Sequence, residues 1–273
     1  MTEIIKTLLF RLKKTTYFWI LLAIALLLPV FGALLIYLSL KMGEALNEPI
    51  EQLMNQMLAQ YGGLSGLMSG FTSISSNPMI LSIIFASVFL SAEFKSGTVR
   101  NAIIAGKSRS QLYLSYYLVA LIGGFGIFVV YFLSAFVSMG LVFRFDATGN
   151  MVTELLYCFL LGLLAIVFVQ TLVCAFLFNT RSRVLTIVIP LIICILGPGI
   201  IATIVEIVSV KDIIANGYID VYSLQYVPFY NTTLLAATKF STANVLMIIA
   251  YYVVFSSAIF CASYFPFHKA DLK

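Results

Sequence analysis

A single histidine, His268, excludes any metal or acid–base site built on several imidazoles. It stands just after Pro266 in a basic tail, where solvated surface is the expected setting. The four cysteines, Cys158, Cys174, Cys194 and Cys261, lie within apolar runs and none pair at metal-ligand spacing, so they read as small packed hydrophobes. Charge is scarce: 10% of residues are charged, against about a quarter in a soluble domain. No polar stretch reaches the roughly 50 residues that a soluble domain needs. Ionisable residues are missing from the middle of every long apolar run, with Arg144, Glu154 and Glu206 at run ends. Ion-coupled carriers keep such charges at midplane as coupling sites, so their absence weighs against a secondary carrier. With no histidine or acid pair in any run, it weighs against an intramembrane protease too.

What is present is apolar. Of 273 residues, 62% are hydrophobic, in runs long enough to cross about 30 Å of hydrocarbon at about 1.5 Å per residue. Six spans are predicted, at 16–40, 78–95, 112–143, 152–178, 184–206 and 244–265. The expected fold is an all-α polytopic membrane protein forming one transmembrane domain over 1–273. The second span has Asn77 as cap and Pro78 at its first position. The third exceeds a straight crossing, which puts Leu112 to Tyr117 at headgroup level or beyond. Pro190 and the Gly197-Pro198-Gly199 run predict a kink or break in the fifth.

The net charge of +5 fits membrane orientation rather than a nucleic-acid partner. With the N-terminus in the cytoplasm, twelve basic residues fall inside: Lys6, Arg11, Lys13, Lys14, Lys95, Arg100, Lys107, Arg109, Arg181, Arg183, Lys269 and Lys273. Four fall outside, Lys41, Arg144, Lys211 and Lys239, together with most acids, including Glu44, Glu48, Glu51, Asp146, Glu154 and Asp220. Both termini of this multi-pass cell-membrane protein are therefore expected in the cytoplasm. The first apolar run exceeds the roughly 7–15 residues of a signal core and shows no convincing cleavage site, so it reads as a retained span. Ahead of it, over 1–15, Ile4, Ile5, Leu8, Leu9 and Leu12 share one helical face while Glu3, Lys6, Arg11 and Lys13 take the other. This pattern predicts a helix lying in the cytoplasmic interface, the alternative being the start of a long first span. Tyr17, Phe18 and Trp19 mark the headgroup level.

The most polar internal run is Glu93 to Gln111, EFKSGTVRNAIIAGKSRSQ, with Gly106-Lys107-Ser108 resembling the end of a phosphate-binding loop. That loop needs a glycine five positions before Gly106, after a strand; here Asn101 stands there, after a membrane helix. The run reads instead as local structure. Gly97 ends or bends the arriving helix, Thr98 caps a short helix over Val99 to Ala105, Gly106 stops it, and Ser108 with Gln111 forms a capping box for the third span. Val99, Ile103 and Ile104 fall on or near one face of the short helix, beside Arg100 and Lys107. Apolar residues there need a partner, either a groove on a soluble protein or the headgroup region.

This segment resembles the loop between the second and third spans of type-2 ABC exporter permeases. Their pattern runs acid-Phe, two residues, Gly-Thr, a short helix, then Gly or Pro and Ser-Arg. Glu93, Phe94, Gly97, Thr98, Gly106, Ser108 and Arg109 match it in place. The layout is similar as well: an interfacial N-terminal helix, six spans and a long outer loop before the last. One departure is that Leu114 to Leu118 lack the lysine often found after Ser-Arg, which bears on headgroup or ATPase contacts. The resemblance implies that residues 96–110 form a coupling loop docking on a separate ATPase dimer, with Arg100, Ile103 and Ile104 among the contacts. It implies further that this chain has no catalytic, cofactor or metal site, that ATP and Mg belong to the ATPase, and that a second permease copy or a similar permease completes the pathway. In the family the outer loop, here 207–243, holds helices dipping back into the membrane; Tyr226, Pro228, Phe229 and Tyr230 are compatible with this.

Gly62, Gly66 and Gly70 recur every four residues in the first outer loop, which suits close helix approach or a flexible loop. Asn231-Thr232-Thr233 matches a glycosylation acceptor weakly. The leading expectation is thus the membrane subunit of an ATP-driven exporter in a lipid membrane. Its apolar lining suggests a hydrophobic or amphipathic substrate such as an antimicrobial peptide, a drug or a lipid-like molecule. The alternative is a secondary carrier or a non-transporting scaffold that recruits a soluble partner through the same loop. Co-purification of an ATPase discriminates the two.

Overall fold

The computed structural model describes residues 2–45, 71, 76–143, 151–180, 182–216 and 242–269. These residues form eight helices and no strand: α1 Thr2–Lys14, α2 Thr16–Ala45, α3 Asn77–Lys95, α4 Thr98–Ile104, α5 Arg109–Phe143, α6 Met151–Thr180, α7 Arg183–Asn216 and α8 Thr242–Lys269. Five of them, α2, α3, α5, α6 and α8, are long and apolar enough to cross a membrane. In α7 the apolar stretch described is shorter, Arg183–Gly197. The helix itself continues to Asn216, so residues 207–216, expected as loop, are helical and belong to α7. The glycine repeat at 62–70, the Asn231 acceptor and the aromatics at 226–230 lie outside the described residues.

α3 and α6 form the centre, touching each other and both α5 and α7, with α2 laid along α5 and α8 along α6. In α6, 72% of the most apolar stretch is buried, against 22% in α2 and in α8. Glycines set how closely the central helices approach. A Cβ on Gly123 would lie 2.2 Å from the Phe85 ring, and one on Gly162 would lie 2.1 Å from the Phe128 ring. At Gly124 a Cβ would fall 2.6 Å from Gln170 Nε2 and 2.9 Å from Ser82 Oγ. The buried Gln170 Nε2 donates to both Ser82 Oγ and the Ser82 carbonyl, which ties α6 to α3 where α5 passes.

Of the kink or break expected at Pro190 and the Gly-Pro-Gly, the break is absent: α7 runs on through both. A helical proline removes the bond to the carbonyl four residues back, here Thr186. The Ser87 hydroxyl of α3 donates to that carbonyl at 3.0 Å and satisfies it within the buried interface. Near Pro29 of α2, the Ser134 hydroxyl of α5 donates to the Leu26 carbonyl at 2.6 Å, next to the Ala25 carbonyl that Pro29 leaves without a helix donor. At the start of α3 the cap also differs from expectation. Ser76 holds the cap position and Asn77 is the first helical residue, because the Asn77 amide donates to the Tyr131 hydroxyl of α5 at 3.0 Å instead.

Candidate functional site

The Glu93–Gln111 run folds as helix, turn, short helix, turn, helix. Ser96 N–H closes α3 on the Ala92 carbonyl, and Gly97, at φ 69°, reverses the chain in the left-handed region. Gly97 rather than Thr98 caps α4, its carbonyl accepting from Asn101 N–H at 2.9 Å. The Thr98 hydroxyl is turned elsewhere, to Ser96 Oγ at 2.6 Å and toward Arg11 at 3.4 Å. At the other end Gly106, at φ 81°, bonds its N–H to the Ile103 carbonyl while Lys107 N–H bonds that of Ala102. This is a Schellman stop, which requires the left-handed residue that Gly106 supplies. Ser108 Oγ then accepts from Gln111 N–H at 3.3 Å and opens α5. A phosphate loop would present free amides; those of Gly106 and Lys107 are already spent on helix carbonyls, and Lys107 Nζ points to Glu3 at 3.5 Å.

Two adjacent residues fix this loop to the rest of the bundle. Glu93, whose side chain is only 8% exposed, accepts from one Arg11 guanidinium nitrogen with both oxygens, at 2.7 and 3.0 Å. The buried Tyr116 phenol lies against the same carboxylate. The pair joins α1 to the foot of α3. Phe94 points into an aromatic cluster, edge-on to Phe178 at 5.3 Å. Phe178 meets Tyr113 and Phe267, each at 4.6 Å, and Tyr113 also meets Phe260 and Tyr264. The Tyr113 hydroxyl bonds Ser263 Oγ, and Ser110 Oγ bonds the Tyr264 hydroxyl at 2.6 Å. One end of the bundle thus gathers the feet of α3, α5, α6 and α8 around the base of the loop.

On α4 itself the apolar residues divide. Val99 is buried against the bundle and Ile103 is partly buried there, so their partner is this chain. Ile104 is 74% exposed, and Arg100 and Asn101 are exposed with it. The face free for another protein is therefore Arg100, Asn101 and Ile104, not the Val99–Ile103–Ile104 face read from the sequence. Gly106 and Ser108 are exposed and Arg109 is half-buried at the same end. Arg11, Tyr113 and Phe178 were missed. Arg11 carried a weak signal as a charge at the edge of the apolar stripe of α1, whereas the two aromatics carried none, being two among 23 Phe and 15 Tyr.

An all-helical bundle with five membrane-length helices among the described residues, and a polar helix–turn–helix loop at one end, defines a multi-pass membrane protein. A model of the ABC-2 family transporter proteins matches residues 4–197, and the chain belongs to that family. It is thereby a membrane subunit of an ABC transporter, a kind of subunit that generally lacks an ATPase site of its own and partners with an ABC ATPase subunit. No curated protein and no solved structure matches it.

Proposed function

We propose that this chain is the pathway-forming subunit of an ATP-driven exporter, coupled to its ATPase dimer through α4. The observation that carries this reading is an exposed face of Arg100, Asn101 and Ile104 on a short helix whose base is held by Glu93 and Phe94. Such a helix is held firmly by the spans while it offers an apolar knob to a partner groove. ATP and Mg are bound by the partner. Closure of the ATPase dimer on ATP moves α4, and Glu93 and Phe94 pass the movement to α1 and to the ring cluster at the feet of α5, α6 and α8. α7 supplies the sixth crossing, and the basic bias of the α1–α4 end supports a cytoplasmic setting for that end and for both termini. A second copy or a similar permease completes the pathway for a hydrophobic or amphipathic substrate such as an antimicrobial peptide, a drug or a lipid-like molecule.

The test is retention of the ATPase on the purified membrane subunit. Ile104→Asp alters no internal contact of consequence, because the side chain is already 74% exposed. In a docked groove it forfeits about 1.5–3 kcal/mol of burial and leaves a desolvated carboxylate, which weakens binding by more than about tenfold. Arg100→Ala is expected to matter less, since an exposed ion pair contributes about 0–1 kcal/mol. Undiminished ATPase retention by Ile104→Asp would refute docking through this face.

A further inference from the structure

We infer that α1 and the head of α2 form a binding site for anionic phospholipid headgroups, built from Lys6, Lys13 and Lys14 around Phe10 and Trp19. α1 turns its apolar stripe inward: Leu8 and Leu12 are buried, and Ile4, Ile5 and Leu9 pack on the same core. Phe10 is two residues from each of the buried leucines, hence about 200° round the helix from them, and it is 59% exposed at the centre of the outer face. Lys14 Nζ stands 4.5 Å above the Phe10 ring, and Lys6 and Lys13 are exposed on its other side.

The acids near this face are already engaged. Glu93 holds Arg11, and Glu3 holds Lys107. Lys6, Lys13 and Lys14 have no ion-pair partner of their own among the described residues, so three exposed amines share the outer face of α1 with Glu3 as its one acid.

The position of the patch selects a lipid rather than a soluble partner. Only Thr15 separates α1 from α2, and Thr15 N–H and Phe18 N–H continue the bonding across the joint. Trp19, in the first turn of a membrane-length helix, donates its indole N–H to the Lys13 carbonyl at 2.9 Å. Lys13 is therefore held level with the entry of α2 into the hydrocarbon. Trp19 and Ile20 are 55% and 53% exposed and continue into the bare flank of Ile24, Leu27 and Phe31. A surface whose lower edge is lipid-facing and whose upper edge carries three unmatched lysines meets a phospholipid in its usual orientation, acyl chain against α2 and phosphate against the amines.

The test uses an internal reporter: Trp19 is the only tryptophan in the chain. The full chain is reconstituted in phosphatidylcholine vesicles carrying equal mole fractions of either dansyl-phosphatidylglycerol or dansyl-phosphatidylcholine, and energy transfer from Trp19 is measured. Transfer to the anionic label should exceed transfer to the neutral one, and the excess should shrink as salt is raised. Each Lys→Gln change should lower the preference roughly fivefold at low salt, and the triple variant K6Q/K13Q/K14Q should abolish it. These surface changes touch no buried contact, and the inference does not depend on the ATPase reading. Equal transfer to both labels in the unmodified chain overturns the site, as does a triple variant that keeps the preference. A triple variant that sheds its ATPase while the lipid preference persists would show instead that the patch serves an acidic protein surface.

Discussion

Removing Arg11 should cost more than neutralising Glu93, although both changes break the same ion pair. The reason lies in exposure: the Arg11 side chain is 44% exposed and that of Glu93 8%. In Arg11→Met the carboxylate stays buried without its guanidinium, with the Tyr116 and Tyr17 phenols beside it. The loss of hydrogen bonds to a charged group amounts to about 1.5–3 kcal/mol, below the 3–5 kcal/mol or so of a fully buried pair because water reaches one side. In Glu93→Gln the buried charge disappears, the amide oxygen still accepts from Arg11, and the half-exposed guanidinium finds water, so the loss is under about 1 kcal/mol. The double variant should then resemble Glu93→Gln alone, with a coupling energy of roughly 1.5–3 kcal/mol, the whole of the Arg11→Met loss. Thermal unfolding of the detergent-solubilised chain reports this through thiol labelling, since Cys158, Cys174 and Cys194 are buried and become reactive only on unfolding. Equal losses from the two single changes, or strictly additive ones, would refute the claim that a buried carboxylate held by Arg11 ties α1 to the loop.

Glycine to alanine changes should sort by surroundings. At Gly123, Gly124 and Gly162 the added methyl meets neighbours closer than 3 Å and should cost about 1–3 kcal/mol each; at Gly197 and Gly199 it meets nothing within 4 Å and should be neutral or stabilising by up to about 1 kcal/mol. The same unfolding assay reads both sets. Ser87→Ala leaves the Thr186 carbonyl above Pro190 without its donor and should cost about 1–3 kcal/mol, whereas Ser87→Thr, which keeps a hydroxyl, should recover part of that. Lys107→Ala should leave the ATP affinity of the assembled transporter unchanged, since the amides beside it are bonded within the chain; nucleotide titration of the variant complex checks this.

Helix content, the membrane-length runs and the architecture of the loop were legible in the chain because each is governed by local rules. Apolar length prescribes spans, and Gly106 followed by Ser108 prescribes a left-handed stop and a cap within a few residues of each other. The extra details of α4 were less legible: Gly97 rather than Thr98 caps it, the Thr98 hydroxyl being taken by Ser96 at 2.6 Å and approached by Arg11, 87 positions away, at 3.4 Å. Tertiary structure alone decided the rest, because the deciding groups come from different helices. Pro190 reads as a break until Ser87 supplies the donor that α7 needs from outside. Asn77 reads as a cap until Tyr131 takes its amide. Val99, Ile103 and Ile104 read as one docking face until the bundle buries the first, half-buries the second and leaves Ile104 exposed. Periodicity records which residues prefer to leave water; which surface receives them is settled only when the helices meet.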